Sequence, residues 1–391
     1  MTARLLLPTP GGTLEPYEPT GRYLGAAPGG PAFRTRTAYA AAHVVADPLA
    51  DNTPGRPAAV DWTATLAFRH HLWSHGFAVA DAMDTAQRNM GLDWPATAEL
   101  IRRSAAEAAT VGDPYTLIAC GAGTDHAGAG DLTLDQILAA YTEQIAVVEE
   151  SGAKVVLMAS RQLAATARGP QDYRWVYDAL LRQVRRPVVL HWLGEVFDPA
   201  LAGYWGSTDV DTATEVFLEL IREHADRVDG VKVSLLDRDH EVRLRAQLPS
   251  GVRLYTGDDF HYPELIRGDG GHFSHALLGI FDAIAPVAAG ALRALDAGDA
   301  AGYDALLAPT VPLSRHLFAA PTYHYKTGIV FLAWLTGRQP AFTMIAGAQS
   351  ARSIPHLAQA YRLADAAGLL PDPDLALGRM RSLLTVAGVG T

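Results

Sequence analysis

The sequence lacks several features that mark common classes of protein. It has one cysteine, Cys120, so an internal disulfide framework is excluded and the composition fits a reducing compartment. The apolar residues Leu5–Leu7 stop at Pro8, whereas a signal peptide needs a longer apolar core. No segment approaches the ~20 uninterrupted apolar residues of a membrane-spanning helix. We therefore expect a cytoplasmic protein that does not bind to or span a membrane.

An excess of positive charge is also missing. The formal net charge is −10, which argues against nucleic acid as a partner, because its phosphates would be repelled. No glycine fingerprint follows the first strand-like run, which argues against a dinucleotide-binding sheet. The glycine-rich stretch Gly121–Gly130 lacks the Lys-Ser/Thr of a phosphate-binding loop, so it is a weak phosphate signal. With 49% apolar residues the chain can nevertheless bury a large core.

Short apolar runs alternate with amphipathic stretches through the middle of the chain. The strand-like runs are Tyr39–Ala46, Gly76–Met83, Tyr115–Cys120, Lys154–Ala159, Pro187–Trp192, Asp229–Leu236, Val252–Thr256 and Gly271–Ala276. The helical stretches between them are Trp62–His75 with Asp61 as N-cap, Trp94–Thr110, Leu134–Ser151, Asp172–Gln183, Asp211–His224 and Asp239–Gln247. Eight strands alternating with helices over ~240 residues predict an α/β protein with a parallel (β/α)8 TIM barrel.

The two ends of the chain differ from this middle. Residues 1–36 are rich in Gly and Pro and predict an N-terminal arm or small hairpin. Residues 37–290 would form the barrel, and residues 291–391 a C-terminal helical extension. The predicted helices of the extension are Ala291–Leu307, Leu313–Phe318, Tyr325–Leu335 and Ile354–Ala367.

The run around Lys232 carries a charge where a buried strand is otherwise apolar. Val231, Val233 and Leu235 fall on one face of a strand, and Lys232 and Ser234 fall on the other. Burial disfavours an ammonium and lowers its pKa, which makes the amine available to attack a carbonyl. Alternatively, Lys232 lies on an edge strand and points into water.

Polar residues at the expected carboxyl ends of strands are the other candidates, because TIM-barrel sites form there. They are Asp84, Thr85, residues 124–126, Ser160, Arg161, His191, Trp192, Ser234, Asp258, Asp259, His261, Ser274 and His275. Each has a structural alternative. Asp84 and Thr85 could form a turn and cap, Asp258 and Asp259 could cap a helix, and the spacing of His272 and His275 suits either a metal pair or hydrogen-bonded structure.

The chain resembles the dihydrodipicolinate synthase / N-acetylneuraminate lyase family of class I aldolases. The resemblance rests on Gly230-Val231-Lys232 in strand six, Thr256-Gly257-Asp258-Asp259 after strand seven, and residues 282–286 after strand eight. It extends from about residue 37 to about residue 370 and includes the helical extension typical of the family. More narrowly, the chain resembles an uncharacterised branch described as a domain of unknown function.

This resemblance implies that Lys232 is the Schiff-base lysine. It places His191 where the family has a proton-relaying tyrosine, and the sequence Asp84-Thr85-Ala86-Gln87-Arg88 where the family binds the carboxylate of an α-keto acid. Since Asp84 would repel a carboxylate, we expect little condensation of pyruvate with aspartate semialdehyde. No organic cofactor is implied, and the family tendency favours a homodimer or homotetramer.

The sequence thus predicts a class I lyase, an aldolase or dehydratase, acting on a polyhydroxylated, sugar-derived carbonyl compound. Lys232 would attack the carbonyl, and His191 would transfer protons because an imidazole titrates near neutral pH. The substrate would be bound by Asp84, Thr85, Arg161, Ser234, Asp258, Asp259, His261, Ser274 and His275. The alternatives are a metal-dependent isomerase or aldolase using His191, Glu195, Asp258 and His272 or His275, and a non-catalytic sugar- or protein-binding barrel.

Overall fold

A computed structural model describes residues 5–128 and 130–389. These residues form two compact units. One unit comprises Arg36–Ala42 and Ala78–Leu278, and the other comprises the described parts of Met1–Thr35, His43–Phe77 and Gly279–Thr391. The predicted division into arm, barrel and extension remains a prediction. Residues 1–4 of the predicted arm, residue 129 of the glycine-rich loop and residues 390–391 of the predicted extension lie outside the described residues.

The first unit contains a closed barrel of eight parallel strands, which confirms the predicted fold class. Numbered in chain order after a terminal hairpin, they are β3 (Ala38–Ala41), β4 (Ala78–Asp81), β5 (Ile118–Ala122), β6 (Lys154–Leu157), β7 (Val188–Leu193), β8 (Val228–Ser234), β9 (Arg253–Thr256) and β10 (His275–Leu278). Each strand pairs with the next one in this order, and β10 pairs with β3 to close the barrel.

Helices alternate with these strands along the chain. They are α1 (Trp62–Ser74), α2 (Trp94–Val111), α3 (Pro114–Leu117), α4 (Leu134–Glu150), α5 (Arg161–Thr166), α6 (Pro170–Gln183), α7 (Val210–Glu223), α8 (Arg238–Arg245) and α9 (Tyr262–Arg267). Short 3-10 turns span Asp84–Ala86, Asp125–Ala127, Pro199–Leu201 and Tyr204–Gly206. Asp61 accepts the amide hydrogen of Ala64, which confirms the predicted N-cap.

Small and apolar side chains fill the barrel interior. Ala41, Ala80, Ala119 and Val156 form a buried cluster with the larger Tyr39, Tyr255, Met83, Met158, Val189 and Leu277. Tyr39 and Tyr255 meet edge to face with ring centroids 5.8 Å apart. Such mixing of small and large residues is how TIM barrels close-pack their interior, so the barrel is a core and not a pore.

The second unit contains the terminal hairpin and most of the remaining helices. The hairpin pairs β1 (Leu5–Pro8) with β2 (Leu14–Tyr17) antiparallel. The helices after the barrel strands are α10 (Ile280–Asp296), α11 (Ala300–Leu307), α12 (Val311–Leu317), α13 (Tyr325–Leu335), α14 (Ile354–Ala366) and α15 (Pro373–Val386), with 3-10 turns at Ala308–Thr310, Thr322–His324 and Ile345–Ala351. None of the helices in the described ranges is long and apolar enough to span a membrane.

Several predicted boundaries are wrong. Residues Pro114–Leu117 form α3, so the predicted strand Tyr115–Cys120 begins only at Ile118. The predicted helix Ala291–Leu307 is two helices, separated where Asp299 caps α11. The eighth strand lies at His275–Leu278 and not at Gly271–Ala276, because a tight Gly268–Gly271 loop occupies the preceding residues.

Candidate active site

Lys232 lies on the interior face of the barrel. It is the register partner of His191 on β7 and of Tyr255 on β9, and Tyr255 belongs to the interior cluster. Register partners on adjacent parallel strands point to the same face, so Lys232 points inward with them. Its side chain is 8% exposed, which excludes the alternative of an edge-strand lysine in water.

Charge and burial act in opposite directions on the Lys232 amine. Burial lowers its pKa below the ordinary lysine value, and the carboxylates of Asp84 and Asp259 partly offset this. The net shift is downward, so the unprotonated, nucleophilic amine is present at lower pH than in a solvent-exposed lysine. Asp84 follows β4 and Asp259 follows β9, at the carboxyl ends of their strands.

His191 and Ser234 lie beside Lys232 on the same face. His191 Nε2 is 3.2 Å from Ser234 Oγ, and both side chains are buried. Burial first, and the charge of Lys232 second, hold the pKa of His191 well below its usual range. The expectation that this imidazole titrates near neutral pH is therefore wrong, and His191 is neutral in the resting protein.

The turn after β9 approaches the lysine closely. A Cβ built on Gly257 would be 2.1 Å from Ser234 Oγ and 2.9 Å from Lys232 Cε, so only glycine fits there. Asp258 accepts hydrogen bonds from the amides of Phe260 and His261 and lies 2.8 Å from His261 Nδ1. The local partners of Asp258 thus shape the turn, and Asp259 is the carboxylate that acts on the amine.

A buried glutamate supports this turn from outside the barrel. Glu241 on α8 accepts hydrogen bonds from Thr256 Oγ1 at 3.0 Å and Ser274 Oγ at 2.7 Å. Thr256 Oγ1 in turn accepts the amide hydrogen of Asp258 at 3.1 Å. Burial raises the pKa of Glu241 to about 8, although the two hydroxyl donors oppose the shift.

An inner cavity opens at the carboxyl ends of β4 to β7. Its polar lining comes from Asp84, Arg88, Asn89, Thr124, Asp125, Ser160, Arg161, Gln162 and Asp198. Thr124 Oγ1 is 2.6 Å from Ser160 Oγ, and Arg161 Nε is 2.5 Å from Asp198 Oδ2. Asp84 belongs to this lining, and its charge also acts on the Lys232 amine.

Most predicted site residues are brought together, but two are not. Asp84, Arg161, Ser234, Asp258, Asp259 and His261 follow or end strands at the carboxyl side as predicted, and Thr85 is buried in the turn beside Asp84. Ser274 and His275 were expected at the carboxyl end of strand eight, and this is wrong. Ser274 precedes β10 and bonds Glu241, whereas His275 begins β10 and its Nδ1 accepts the amide hydrogen of Thr37 at 2.9 Å.

The side chains suggested for a metal do not converge either. His275 is at the amino end of its strand, and His272 is exposed in the loop before it. Across residues 5–128 and 130–389, no three His, Cys, Asp or Glu side chains are grouped to hold a metal ion.

Sequence reasoning missed the residues that organise the cavity wall. Arg88 donates to Asp125, to Gln144 Oε1 at 2.7 Å and to the carbonyl oxygen of Gly121 at 2.8 Å. Gln144 is fully buried on α4 among Ile137, Tyr141, Ile145 and Val148. A polar residue within that apolar stripe is a readable signal. Asp198 follows β7 in an irregular loop, where no pattern singles it out.

Comparisons with known proteins agree with this architecture. A family model described as "Protein of unknown function (DUF993)" matches residues 5–389. No curated protein matches the chain. The structure of YagE, a prophage protein of the dihydrodipicolinic acid synthase family from E. coli K12 in complex with pyruvate, is similar with a TM-score of 0.62 and 15% identity, over 86% of this chain and 99% of that one.

Two further solved structures show the same fold. Dihydrodipicolinate synthase from Bacteroides thetaiotaomicron has a TM-score of 0.62 and 15% identity, covering 84% of this chain and 99% of its own. The synthase from Oceanobacillus iheyensis has a TM-score of 0.56 and 13% identity, covering 90% and 97%. The predicted resemblance is confirmed by these neighbours as a likeness of fold.

Proposed function

Because the chain belongs to the DUF993 family of proteins of unknown function, we propose its activity from the barrel and its site: a class I lyase that forms a Schiff base through Lys232. The observation that carries the proposal is a buried amine inside a TIM barrel, flanked by two carboxylates and an imidazole–hydroxyl pair. The metal-dependent alternative lacks such support, because no three His, Cys, Asp or Glu side chains of the described residues are grouped to hold a metal ion.

The amine would carry the central step. The lone pair of unprotonated Lys232 Nζ attacks the substrate carbonyl carbon, and the carbinolamine loses water to give an iminium. The electrons of a neighbouring C–C bond, or of a C–H bond before β-elimination of water, then flow into the iminium and give an enamine. Protonation of the enamine and hydrolysis release the product and restore the amine.

His191 and Ser234 would move the proton. A neutral imidazole accepts a proton from the substrate through the Ser234 hydroxyl, 3.2 Å away, and its depressed pKa makes it return that proton readily. His191 therefore holds a proton only transiently in this scheme. Asp84 and Asp259 would stabilise the iminium cation that replaces the ammonium.

The cavity supports a hydroxyl-rich substrate over an α-keto acid. Asp84, Asp125 and Asp198 contribute acceptors, while Arg88 and Arg161 are engaged with Asp125 and Asp198. Each arginine thus already has a carboxylate partner. A substrate carboxylate beside Asp84 would be repelled by its negative charge. We propose a neutral polyhydroxylated ketone or aldehyde, with activity in the cytoplasm as a homodimer or homotetramer.

Reductive trapping tests the proposal. The chain has three lysines, Lys154, Lys232 and Lys326, so adducts can be located without a background of surface amines. Incubation with dihydroxyacetone or fructose and cyanoborohydride is expected to add the mass of one substrate molecule less one oxygen atom to the peptide containing Lys232, because the Schiff base forms with loss of water and is then reduced by two hydrogens. Lys232→Met should remove the adduct, and Lys326→Met is the matched control.

Two results would contradict the proposal. One is labelling that persists in Lys232→Met. The other is an absence of labelling at Lys232 together with activity on these sugars that a chelator removes and a divalent cation restores, which would favour the metal-dependent alternative. Trapping of pyruvate more readily than of fructose would contradict the proposed substrate class.

A further inference from the structure

Glu241 is a buried carboxyl group that takes no part in the proposed reaction. It lies on α8 and is 1% exposed. Burying a carboxyl group is costly unless hydrogen bonds compensate for the lost water. Here both oxygens have a donor, because they accept from Thr256 Oγ1 at the end of β9 and from Ser274 Oγ before β10. The partners of Glu241 therefore show what the buried group supports.

Thr256 connects Glu241 to the turn after β9. Its hydroxyl donates to Glu241 at 3.0 Å and accepts the amide hydrogen of Asp258 at 3.1 Å. The amide of Gly257 donates to the Val233 carbonyl oxygen of β8 at 2.8 Å. The turn is thus held by β8 on one side and, through the Thr256 hydroxyl, by Glu241 on the other.

This turn carries one of the carboxylates that act on the reacting amine. Burial lowers the pKa of Lys232, and the charges of Asp84 and Asp259 oppose that effect. Asp259 directly follows Asp258, whose carboxylate accepts the amide hydrogen of Phe260 at 2.8 Å. Both neighbours of Asp259 in the chain are therefore fixed by hydrogen bonds, and the bond at the Asp258 amide is the one that depends on α8.

The groups around Glu241 keep it largely uncharged at neutral pH. Burial raises its pKa to about 8, and the charge of Asp258 acts in the same direction. The hydroxyl donors and the charge of Arg245, whose Nη1 lies 3.3 Å from Ser274 Oγ, act against the shift. A neutral carboxyl group affects its surroundings through hydrogen bonds and not through charge.

We infer that Glu241 is a positioning residue for the reaction: through Thr256 it holds the turn that places the Asp259 carboxylate near the Lys232 amine. This inference rests on the proposed function, because it takes Lys232 to be the reacting amine. It extends that function by assigning part of the control over the amine to a side chain of a helix, behind the ends of the strands.

NMR titration of the lysine side chains tests the inference. Protein made with isotope-labelled lysine gives signals from three side chains, and the signal of Lys232 is the one that Lys232→Met lacks. Glu241→Leu leaves the Thr256 hydroxyl without its acceptor and should lower the pKa of Lys232 by about 1, the lower end of the effect of one nearby opposite charge. Glu241→Gln keeps polar atoms that can bond both hydroxyls, so it should retain the pKa of the unmodified protein.

His240→Leu is the matched control. His240 is also buried on α8, but its Nε2 lies 2.7 Å from Thr214 Oγ1 of α7 and not beside the turn. Its loss should affect the packing of α8 and leave the pKa of Lys232 unchanged. Thr256→Val, which removes the connecting hydroxyl with little change of volume, should lower that pKa as Glu241→Leu does and serves where Glu241→Leu does not fold.

A double variant tests the route through Asp259. Asp259→Asn should itself lower the pKa of Lys232, and adding Glu241→Leu should lower it little further, because two changes that act through one group are not additive. A fully additive shift would contradict the route. An unchanged pKa in Glu241→Leu or in Thr256→Val, or an equal shift in His240→Leu, would leave Glu241 a packing role only. An equal shift in Glu241→Gln would show that charge and not position is responsible. Each of these results would overturn the inference. Because the titration needs no substrate, failure of trapping at Lys232 contradicts the proposed function instead.

Discussion

Lys154 and Lys232 are both buried in the barrel, but their amines face different partners. Lys154 Nζ is 3.1 Å from Asp229 Oδ2 and lies 4.7 Å from the centroid of the Tyr115 ring. It is the first residue of β6 and so lies at the amino end of the strand, whereas the site forms at the carboxyl ends of the strands. Burial lowers the pKa of Lys154 as well, against the effect of Asp229. Because its amine is directly paired with a carboxylate at the amino end of its strand, Lys154 has a structural role.

The carboxylate Asp84 should tune the pH at which Lys232 reacts. Since Asp84 raises the pKa of Lys232 against the effect of burial, Asp84→Asn should lower that pKa further. The free amine would then form at lower pH, and the midpoint of the trapping rate against pH should move to lower pH. Asp198→Asn, which alters the same cavity wall, is the control. An unmoved or raised midpoint in Asp84→Asn would contradict this assignment.

His191 should affect proton transfer and not adduct formation. His191→Phe removes the nitrogen that lies 3.2 Å from Ser234 Oγ but leaves the amine in place. We expect trapping of dihydroxyacetone to persist, while exchange of its carbon-bound hydrogen for deuterium falls by ~10²–10⁴. Mass spectrometry measures the first quantity and NMR in heavy water the second.

Ser234→Ala provides the comparison, because it interrupts the same relay at the hydroxyl. The pH profile gives a further readout. Since the pKa of His191 is held well below 6.5, the ratio of the exchange rate to the trapping rate at the same pH should not decline as pH falls through 6.5. A decline centred there, or unchanged exchange in His191→Phe, would exclude the relay.

At the scale of elements, the turn after β9 needs glycine at position 257 because β8 lies too close for a side chain, and not because of its backbone dihedral angles. Gly257→Ala would place a methyl group 2.8 Å from the Val233 carbonyl oxygen as well as against Ser234 and Lys232. Overpacking of this kind costs about 1–3 kcal/mol, and the displaced lysine should react poorly. Urea unfolding and trapping measure the two effects. Gly271→Ala, where a Cβ meets nothing within 4 Å, should change neither.

Strand six could be predicted because its pattern is local. Alternation of Val231, Lys232 and Val233 determines which side chains face the interior, and the structure places them accordingly. Strand eight could not be located in the same way. The apolar run from Ala276 continues into Ile280 and Phe281, so no change of period marks where β10 ends and α10 begins.

The site was predictable only where it follows strand ends. Asp84 and Asp259 come directly after apolar runs, whereas Arg88, Asp125 and Gln144 meet across 56 residues of chain. Sequence order alone gives no measure of such distances. The sequence also cannot show that the Asp258 carboxylate is hydrogen-bonded within its own turn, because the residue type does not reveal its partners.

At the scale of the whole molecule, buried neutral histidines should set the response to acid. Burial lowers the pKa of His71 to about 3 and of His75 to about 4 in one unit, and of His275 to about 4 in the barrel unit. In the unfolded chain these imidazoles bind protons below about pH 6.5. The unfolded state thus binds more protons than the folded state between about pH 6.5 and pH 4, and the free energy of unfolding should fall as pH falls through that window.

His275→Asn tests this in the barrel unit, because the asparagine oxygen can still accept the amide hydrogen of Thr37 that His275 Nδ1 accepts. Near pH 7 the variant should be close to the unmodified protein in stability, and below pH 6.5 it should lose less. The difference should grow by at most about 1.4 kcal/mol per pH unit, the linkage for one proton, down to about pH 4. Urea unfolding at a series of pH values measures it. His272→Asn alters an exposed histidine in the neighbouring loop and should follow the unmodified protein throughout. Parallel curves for all three proteins would show that protonation of His275 does not contribute to acid unfolding.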